Sequence, residues 1–376
     1  MIKQVASRDS EYKHKIMRTP RSVDIDITSK CNLKCDYCYY FENQEVNYLD
    51  LPAEEWLHFF RELERCSVIS VCLAGGEAFM RKDLPELLDG IVNNKMRFSI
   101  LSNGTLINDE IAQFIAGTGR CDYVQVSVDG SNPEVHESCR GKGSFASAIK
   151  GIQILRRHKV PVTVRVTIHH GNIYDLENIA RFLLDDLGLS GFSTNSAGVL
   201  GACHQNANKV LLTIQDRQIA MQSLLQLAAK YPGRISASAG PLAEARTWRL
   251  MEDSRRSKDP AFQNGGRLTA CGCYFNKIAI RSDGIITPCN MLPHIELGRI
   301  NQDSLQDIWQ NSFLLNQLRQ RCFISLTDFE FCANCSYVPY CTGNCPALSY
   351  NIIGQVNHPS PDACLRLFLS EGGAVP

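Results

Sequence analysis

No stretch of the chain approaches the eighteen consecutive apolar residues of a membrane-spanning helix, and no signal-peptide core follows Met1. These absences exclude a helical membrane protein and an exported one, and a cytoplasmic location is expected. Net charge is lacking too: 39 Lys and Arg balance 39 Asp and Glu, so no global field draws in nucleic acid or an anionic membrane. Internal repeats and low-complexity segments are absent as well. What remains is an ordinary globular composition, 44% hydrophobic and 21% charged over 376 residues, long enough for about two domains. Residues 1–21 are locally basic (Lys3, Arg8, Lys13, Lys15, Arg18, Arg21) and read as a solvated arm, with contact to an acidic peptide as the lesser alternative.

What the chain has in excess is cysteine. A disulfide scaffold would be short and secreted, whereas this chain is long and carries 17 cysteines, nine of them after residue 270. Clustered thiols in a reducing compartment point to metal. The first cluster is Cys31, Cys35 and Cys38, spaced C-x3-C-x2-C directly after the alternating run Ser22 to Thr28. A tetrahedral zinc site would want a fourth ligand, and no other cysteine or histidine lies within ten residues. Three thiolates on one loop suit an iron–sulfur cube, holding three irons and leaving the fourth open for chemistry.

Short β-branched runs alternate with amphipathic stretches from Ser22 to about Ala197. Strands are expected at Val23–Thr28, Ile69–Leu73, Arg97–Leu101, Tyr123–Val128, Val162–Ile168 and Gly191–Ser196. Helices are expected at Pro52–Cys66, Leu84–Asn94, Asp109–Ala116, Phe145–His158 and Asp175–Leu187. The strands are largely apolar, as parallel strands covered on both faces tend to be. The fold class is therefore α/β, a partial (β/α)6 TIM-like barrel with its chemistry at the strands' C-terminal ends. Residues 205–267 read as a helical connector, broken at Pro232-Gly233 and ending in a linker, Ser254–Gly266. A small cysteine-rich α+β domain spans 268–369, before a tail at 370–376. It opens with a hairpin, Asn276–Arg281 and Ile285–Pro288, whose Asp283-Gly284 suits a type I′ turn.

With Tyr37 before its last cysteine, the first loop closely resembles the cluster motif of radical S-adenosylmethionine (SAM) enzymes. Gly75-Gly76-Glu77 follows the second strand. Its glycines let a ligand approach the backbone, and Glu77 can accept from an amino group. Alone this is a strand-to-helix turn; one βα unit after the cysteine loop it matches the family's motif for the SAM amino group. Ser127 and Asp129 after the fourth strand, and Asn103 after the third, are further candidates for SAM, although Asn103 and Asp129 precede glycines and equally suit turns. Arg140 is the candidate clamp for the SAM carboxylate, with Arg165 as its understudy.

The C-terminal cysteines resemble the SPASM extension of the same family. Eight thiols suffice for two four-cysteine clusters, with two zinc ribbons as the plain alternative. The resemblance implies Cys271, Cys273, Cys289 and Cys345 at an inner auxiliary cluster, and Cys332, Cys335, Cys341 and Cys364 at an outer one. The Cys271-Gly-Cys273 pair departs from the pattern, so one of its thiols could leave an iron open. The other cysteines (Cys66, Cys72, Cys121, Cys139, Cys203, Cys322) read as buried apolar side chains, Cys203 being the one nearest the site.

The resemblance implies a [4Fe-4S] cluster with an open iron, two auxiliary clusters, and reductive cleavage of SAM to a 5′-deoxyadenosyl radical that abstracts hydrogen from substrate. It implies a precursor-peptide substrate acquiring a C–C or C–S crosslink, and an electron donor such as flavodoxin or ferredoxin. A separate leader-recognition protein, or direct reading of the precursor by the barrel and the basic arm, is expected, since about twenty residues before the first strand are too few for such a domain. Alternatives are formylglycine formation on a sulfatase, tetrapyrrole side-chain decarboxylation, and a non-catalytic zinc-binding protein. The first wants an aspartate base where Asn290 stands. No catalytic acid or base is assigned.

Overall fold

In a computed structural model that describes residues 16–41, 48–257 and 265–376, the strands form one ten-stranded sheet. In chain order they are β1 (Ser22–Thr28), β2 (Ser70–Gly75), β3 (Arg97–Ser102), β4 (Cys121–Ser127), β5 (Val162–Ile168), β6 (Phe192–Ser196), β7 (Ile235–Ala237), β8 (Lys277–Ile280), β9 (Ile285–Thr287) and β10 (Gly298–Arg299). Their spatial order is β10-β9-β8-β1-β2-β3-β4-β5-β6-β7. Strands β1 to β7 are parallel, as βα units require.

The helices follow the expected spacing. They are α1 (Ala53–Arg65), α2 (Leu84–Asn93), α3 (Asp109–Thr118), α4 (Pro133–Arg140), α5 (Ser144–Arg157), α6 (Leu176–Arg181), α7 (Ile214–Lys230) and α8 (Pro241–Ser257). Asn108, Asn132 and Thr213 cap α3, α4 and α7 by accepting from backbone N–H groups of the first turn. Helix α4 was not among the expected elements: eight residues of mixed polarity give no periodic signal. The helix expected over 175–187 passes from α6 into a π-helical turn, Phe182–Asp186.

The strands are not apolar on both faces. In β1, Val23, Ile25 and Ile27 are fully buried against the helical layer with Trp56, Phe59 and Phe60 of α1. The alternate residues, Asp24 and Asp26, belong to the other face. An open barrel has one packed side and one polar lumen, so the strands alternate after all.

Two corrections concern the second half. The connector was read as helical, yet β7 lies within it and extends the sheet past β6. The hairpin of the cysteine-rich region does not stand apart, because β8 pairs in parallel with β1, Ser22 opposite Lys277 and Ile25 opposite Ile280. Its turn is not type I′, which needs positive φ at both central residues. Only Gly284 has one (φ 86°), and Arg281 N–H donates to the Ile285 carbonyl, so the glycine forms a bulge after an ordinary turn. The linker expected at Ser254–Gly266 begins as the last turn of α8; residues 258–264 lie outside the described residues, as does most of the basic arm. Among the described residues no helix is long and apolar enough to cross a membrane.

The β2–α2 turn locks the cysteine loop onto the barrel. Gly76 N–H donates to the Thr28 carbonyl (2.9 Å) and Glu77 N–H to the Lys30 carbonyl (2.8 Å). Gly75 sits at φ 99°, where a Cβ would lie 2.5 Å from the Thr28 oxygen; a Cβ on Gly76 would lie 2.1 Å from that of Lys30. The backbone that these glycines admit at close range is the chain's own, at Thr28 and Lys30. Gly76→Ala is expected to destabilise the protein by about 1–3 kcal/mol, the cost of overpacking a closed contact. The check is thermal denaturation together with iron content, both of which should fall.

Candidate active site

At the C-terminal ends of the strands lies a cavity of about 640 Å³. Cys31, Cys35, Tyr37 and Cys38 of the loop line it, with Gly75, Gly76, Glu77, Asn103, Ser127, Arg140 and Arg165. Ten sequence-predicted residues of the SAM site thus meet on one surface, with Arg165 beside them. Asp129 does not line the cavity; it lies fully buried behind it.

Glu77 is fully buried and accepts from Ser102 Oγ (2.8 Å), Asn103 N–H (2.7 Å) and Phe79 N–H (3.2 Å). Burial raises its pKa above the usual carboxylate value, and these donors pull the other way. The carboxylate is thereby fixed in orientation. Asn103 also joins the loop, its Nδ2 donating to Asn32 Oδ1 (2.9 Å).

Asp129 organises the opposite wall. Its carboxylate pairs with Arg140 Nε, accepts from the Tyr37 hydroxyl, and accepts from Thr167 N–H at 2.7 Å. Burial opposes ionisation, yet the Arg140 guanidinium, with His136 and His169 nearby, holds the carboxyl below its ordinary value. Asp129 is therefore a structural anion rather than a ribose contact. Tyr37 stacks on His169 (5.5 Å between centroids) and faces the Arg140 guanidinium at 5.4 Å. Arg140 commits its Nε to Asp129, while its Nη1 lies 3.9 Å from Cys35 Sγ.

The three loop thiols respond to one another. Burial pushes the Cys35 thiol up to about 12, against the pull of Arg140, with Cys38 and Cys31 adding to the rise. Cys31 and Cys38 are raised by burial as well. Buried, mutually repelling thiols stay protonated until a cation compensates them, which is how a metal centre is bound.

Eight of the C-terminal cysteines lie in two groups. Cys332, Cys335, Cys341 and Cys364 line one small cavity beneath Tyr337 and Leu365. Burial raises Cys332 to about 11, with Cys341, Cys335 and Cys364 contributing. Cys289, Cys271 and Cys345 lie close enough together to act on one another and on the buried Tyr274. The Cys273 thiol donates to Cys271, lowering the Cys271 pKa and raising its own. Cys271 has positive φ (58°), strain that a ligand position can hold. Among the described residues, no three His, Cys, Asp or Glu side chains converge on a point fit for a single ion.

Sequence reasoning missed the far wall. Exposed Ser238 and Ala239 after β7, with Gly240, Ala243, Thr247 and Trp248 at and within α8, close the cavity opposite the cysteine loop. No motif marks them, because the connector has no distinctive composition. Glu244 of α8 and Asp362 also line the cavity, both paired to Arg217 of α7 (2.7 and 3.1 Å). Cys203 does not line it; fully buried, it packs with Cys139 and Val210 behind Tyr37.

Below the cavity the lumen continues as a polar chamber of about 380 Å³, sharing Tyr39, Ala74, Leu101, Gln125 and Arg165 with it. Asn290 lines this chamber and donates from Nδ2 to Asp26 Oδ1 (2.7 Å). Position 290 therefore presents an amide donor to a carboxyl carried by β1.

This architecture defines a class: a partial α/β barrel with a three-cysteine loop over its mouth and two further cysteine sets behind. Residues 25–183 match the model of the radical SAM superfamily, and residues 271–336 match that of the SPASM iron–sulfur cluster-binding domain. The chain belongs to the radical SAM superfamily and carries a SPASM domain; it is an enzyme of [4Fe-4S] cluster and SAM, with auxiliary iron–sulfur clusters. It is 26% identical over 326 residues to the subtilosin biosynthesis protein AlbA of Bacillus subtilis, covering 86% of this chain and 67% of AlbA. It is 24% identical over 353 residues to the AdoMet-dependent heme synthase of Methanosarcina barkeri, covering 92% and 97%. In fold it resembles Streptococcus suis SuiB bound to its precursor peptide SuiA, with a TM-score of 0.72 at 17% identity, covering 95% and 78%.

Asp26 yields a pH prediction. Burial raises its pKa to about 8; the Asn290 hydrogen bond opposes this and Asp24 adds to it. The folded state then holds a proton that the unfolded chain releases near pH 4, so this group's contribution to stability is complete below about pH 4 and is lost as pH rises through about 8. Asp26→Asn mimics the protonated acid. Its melting temperature relative to wild type should therefore be higher at pH 8 than at pH 5; an identical difference at both would contradict the assignment.

Proposed function

We propose that the protein is a maturase of a ribosomally made precursor peptide, forming a C–C or C–S crosslink. The observation that carries this reading is the construction of the cavity's outer wall. The sheet ends at β7, and exposed Ser238 and Ala239 run on from that edge along the rim. A sheet edge offers backbone donors and acceptors to an extended peptide. A tetrapyrrole with several propionates would want several free cations, yet of the two arginines among the described lining residues Arg140 is already neutralised by Asp129. A formylglycine-forming enzyme would want a base at position 290, where the amide of Asn290 donates instead. Similarity to AlbA supports the peptide reading; similarity to the heme synthase is what makes the cation count matter.

In this reading Cys31, Cys35 and Cys38 hold the SAM-binding cluster. Cys271, Cys273, Cys289 and Cys345 hold the inner auxiliary cluster, and Cys332, Cys335, Cys341 and Cys364 the outer one. Bound cluster and SAM supply a 5′-deoxyadenosyl radical that abstracts hydrogen from the peptide. The residues of this chain position and shield. Glu77 would accept from the SAM amino group, Ser127 lines the same cavity, and Arg140 sets cationic charge beside Cys35. Trp248 and Leu348 give apolar cover that excludes water from a reactive intermediate. Lys277 and Arg321 place positive charge near the inner thiols, easing their ionisation. The reading includes a cytoplasmic location, flavodoxin or ferredoxin as electron donor, and a separate protein that recognises the leader.

Anaerobic protein given dithionite and SAM should release 5′-deoxyadenosine, and Cys35→Ala should release none while keeping about two thirds of the iron. Unchanged cleavage in that variant would refute the loop assignment. Glu77→Gln should keep all three clusters but weaken SAM binding roughly ten- to hundredfold, matching about 1.5–3 kcal/mol for a hydrogen bond to a charged group. Equilibrium dialysis with labelled SAM measures it.

A further inference from the structure

Among the described residues, the charges lining the cavity and the chamber are matched except one. In the main cavity, Arg140 is paired with Asp129, and Glu244 and Asp362 share Arg217. Glu77 is held by three donors. In the polar chamber below, Asp24 is paired with Lys277 at 2.5 Å and Asp122 with Arg97. Arg165 lines both spaces, and its polar contact is the neutral amide of Gln125, whose Oε1 lies 3.4 Å from Nε and 3.3 Å from Nη2. Among the described residues it has no carboxylate partner; burial desolvates the guanidinium and lowers its pKa, and only Tyr123 opposes that shift.

This cation is not the one serving the cluster. Arg140 acts on Cys35, Cys38 and Glu77, whereas neither the loop thiols nor Glu77 reach Arg165. Arg165 sits mid-strand in β5, in register with Ser127 of β4 and Ser193 of β6, where the cavity narrows into the chamber. A guanidinium fork there suits a planar anion entering from the cavity. Next to Arg165's strand, Asn195 Oδ1 of β6 is buried in the cavity wall without a partner, an acceptor left for a substrate N–H.

We propose that Arg165 is the substrate-recognition residue of the barrel and binds a carboxylate of the peptide, either an acidic side chain or the C-terminus. The proposal rests on the peptide-maturase reading and names what that peptide must present. Trp248 lines the same cavity and serves as a fluorescent reporter.

The test uses reconstituted full-length holoenzyme with SAM and three probes. N-acetylglutamate α-amide carries a side-chain carboxylate, N-acetylglutamine a terminal one, and N-acetylglutamine amide none. At least one of the two acids should change the fluorescence saturably, the neutral amide should not, and the better acid identifies the source. Arg165→Gln should weaken that acid at least tenfold, and Arg165→Lys should recover part of the loss, showing that the charge and not a folding defect is responsible. Equal binding of the neutral amide, no response to either acid, or unchanged affinity in Arg165→Gln would overturn the proposal. So would a parallel loss of SAM affinity in Arg165→Gln, which would transfer the guanidinium to the cofactor. Wild-type release of 5′-deoxyadenosine in the same samples shows that the holoenzyme is competent; given that, equal binding of the neutral amide defeats this proposal alone, whereas binding of none of the three probes defeats the peptide-maturase reading beneath it as well.

Discussion

One buried ion pair, Arg140 with Asp129, holds the site together. Neither side chain is more than 7% exposed, and such a pair is worth keeping only when its remaining lone pairs and protons are satisfied. Here they are: Asp129 also takes the Tyr37 hydroxyl from the cysteine loop and the Thr167 N–H from β5, while Arg140 turns its other end toward Cys35. Asn172 Nδ2 adds bonds to the Asp129 and Thr167 carbonyls, each at 2.9 Å. Loop, β4, α4 and β5 thus share one node. Losing either charge would leave the other buried alone, at a cost of about 3–5 kcal/mol, and would release the loop that carries Cys31, Cys35 and Cys38.

From this node the geometry of the site follows. The loop is pinned on one side by Tyr37 and on the other by the Gly76 and Glu77 amides, so the three thiols face one cavity. The cysteine-rich region reaches the same cavity because β8 pairs with β1, bringing Met291 and Cys345 to the wall and Asn290 into the lumen. Barrel and SPASM region therefore share one sheet.

The barrel was legible because its signals are local. An alternating run such as Ser22–Thr28 announces a strand, and α3 begins where Asn108 offers a cap. Elements without a periodic signal were not legible: α4, with mixed polarity, and β7, three residues inside a helical connector. The turn at Asp283-Gly284 was misread for the opposite reason. The dipeptide permits type I′, but the Arg281 pairs with Asp283 and Glu296 favour a different path. Gly75-Gly76 stands out in the sequence, but that the chain's own backbone at Thr28 and Lys30 closes on it is visible only in the fold.

The sequence alone pointed to the chemistry: C-x3-C-x2-C suits an iron–sulfur centre by residue type and spacing, while Gly-Gly-Glu and the late cysteines took their meaning from resemblance to a known family. Tertiary structure alone decided which charges are already matched. Arg140 and Arg165 look equivalent along the chain, and only the fold pairs one with Asp129 and leaves the other facing the lumen. Spacing can name a thiolate set because its members sit on one loop. A charge balance sums over groups hundreds of residues apart, such as Asp24 with Lys277, and it exists only once the barrel has closed around them.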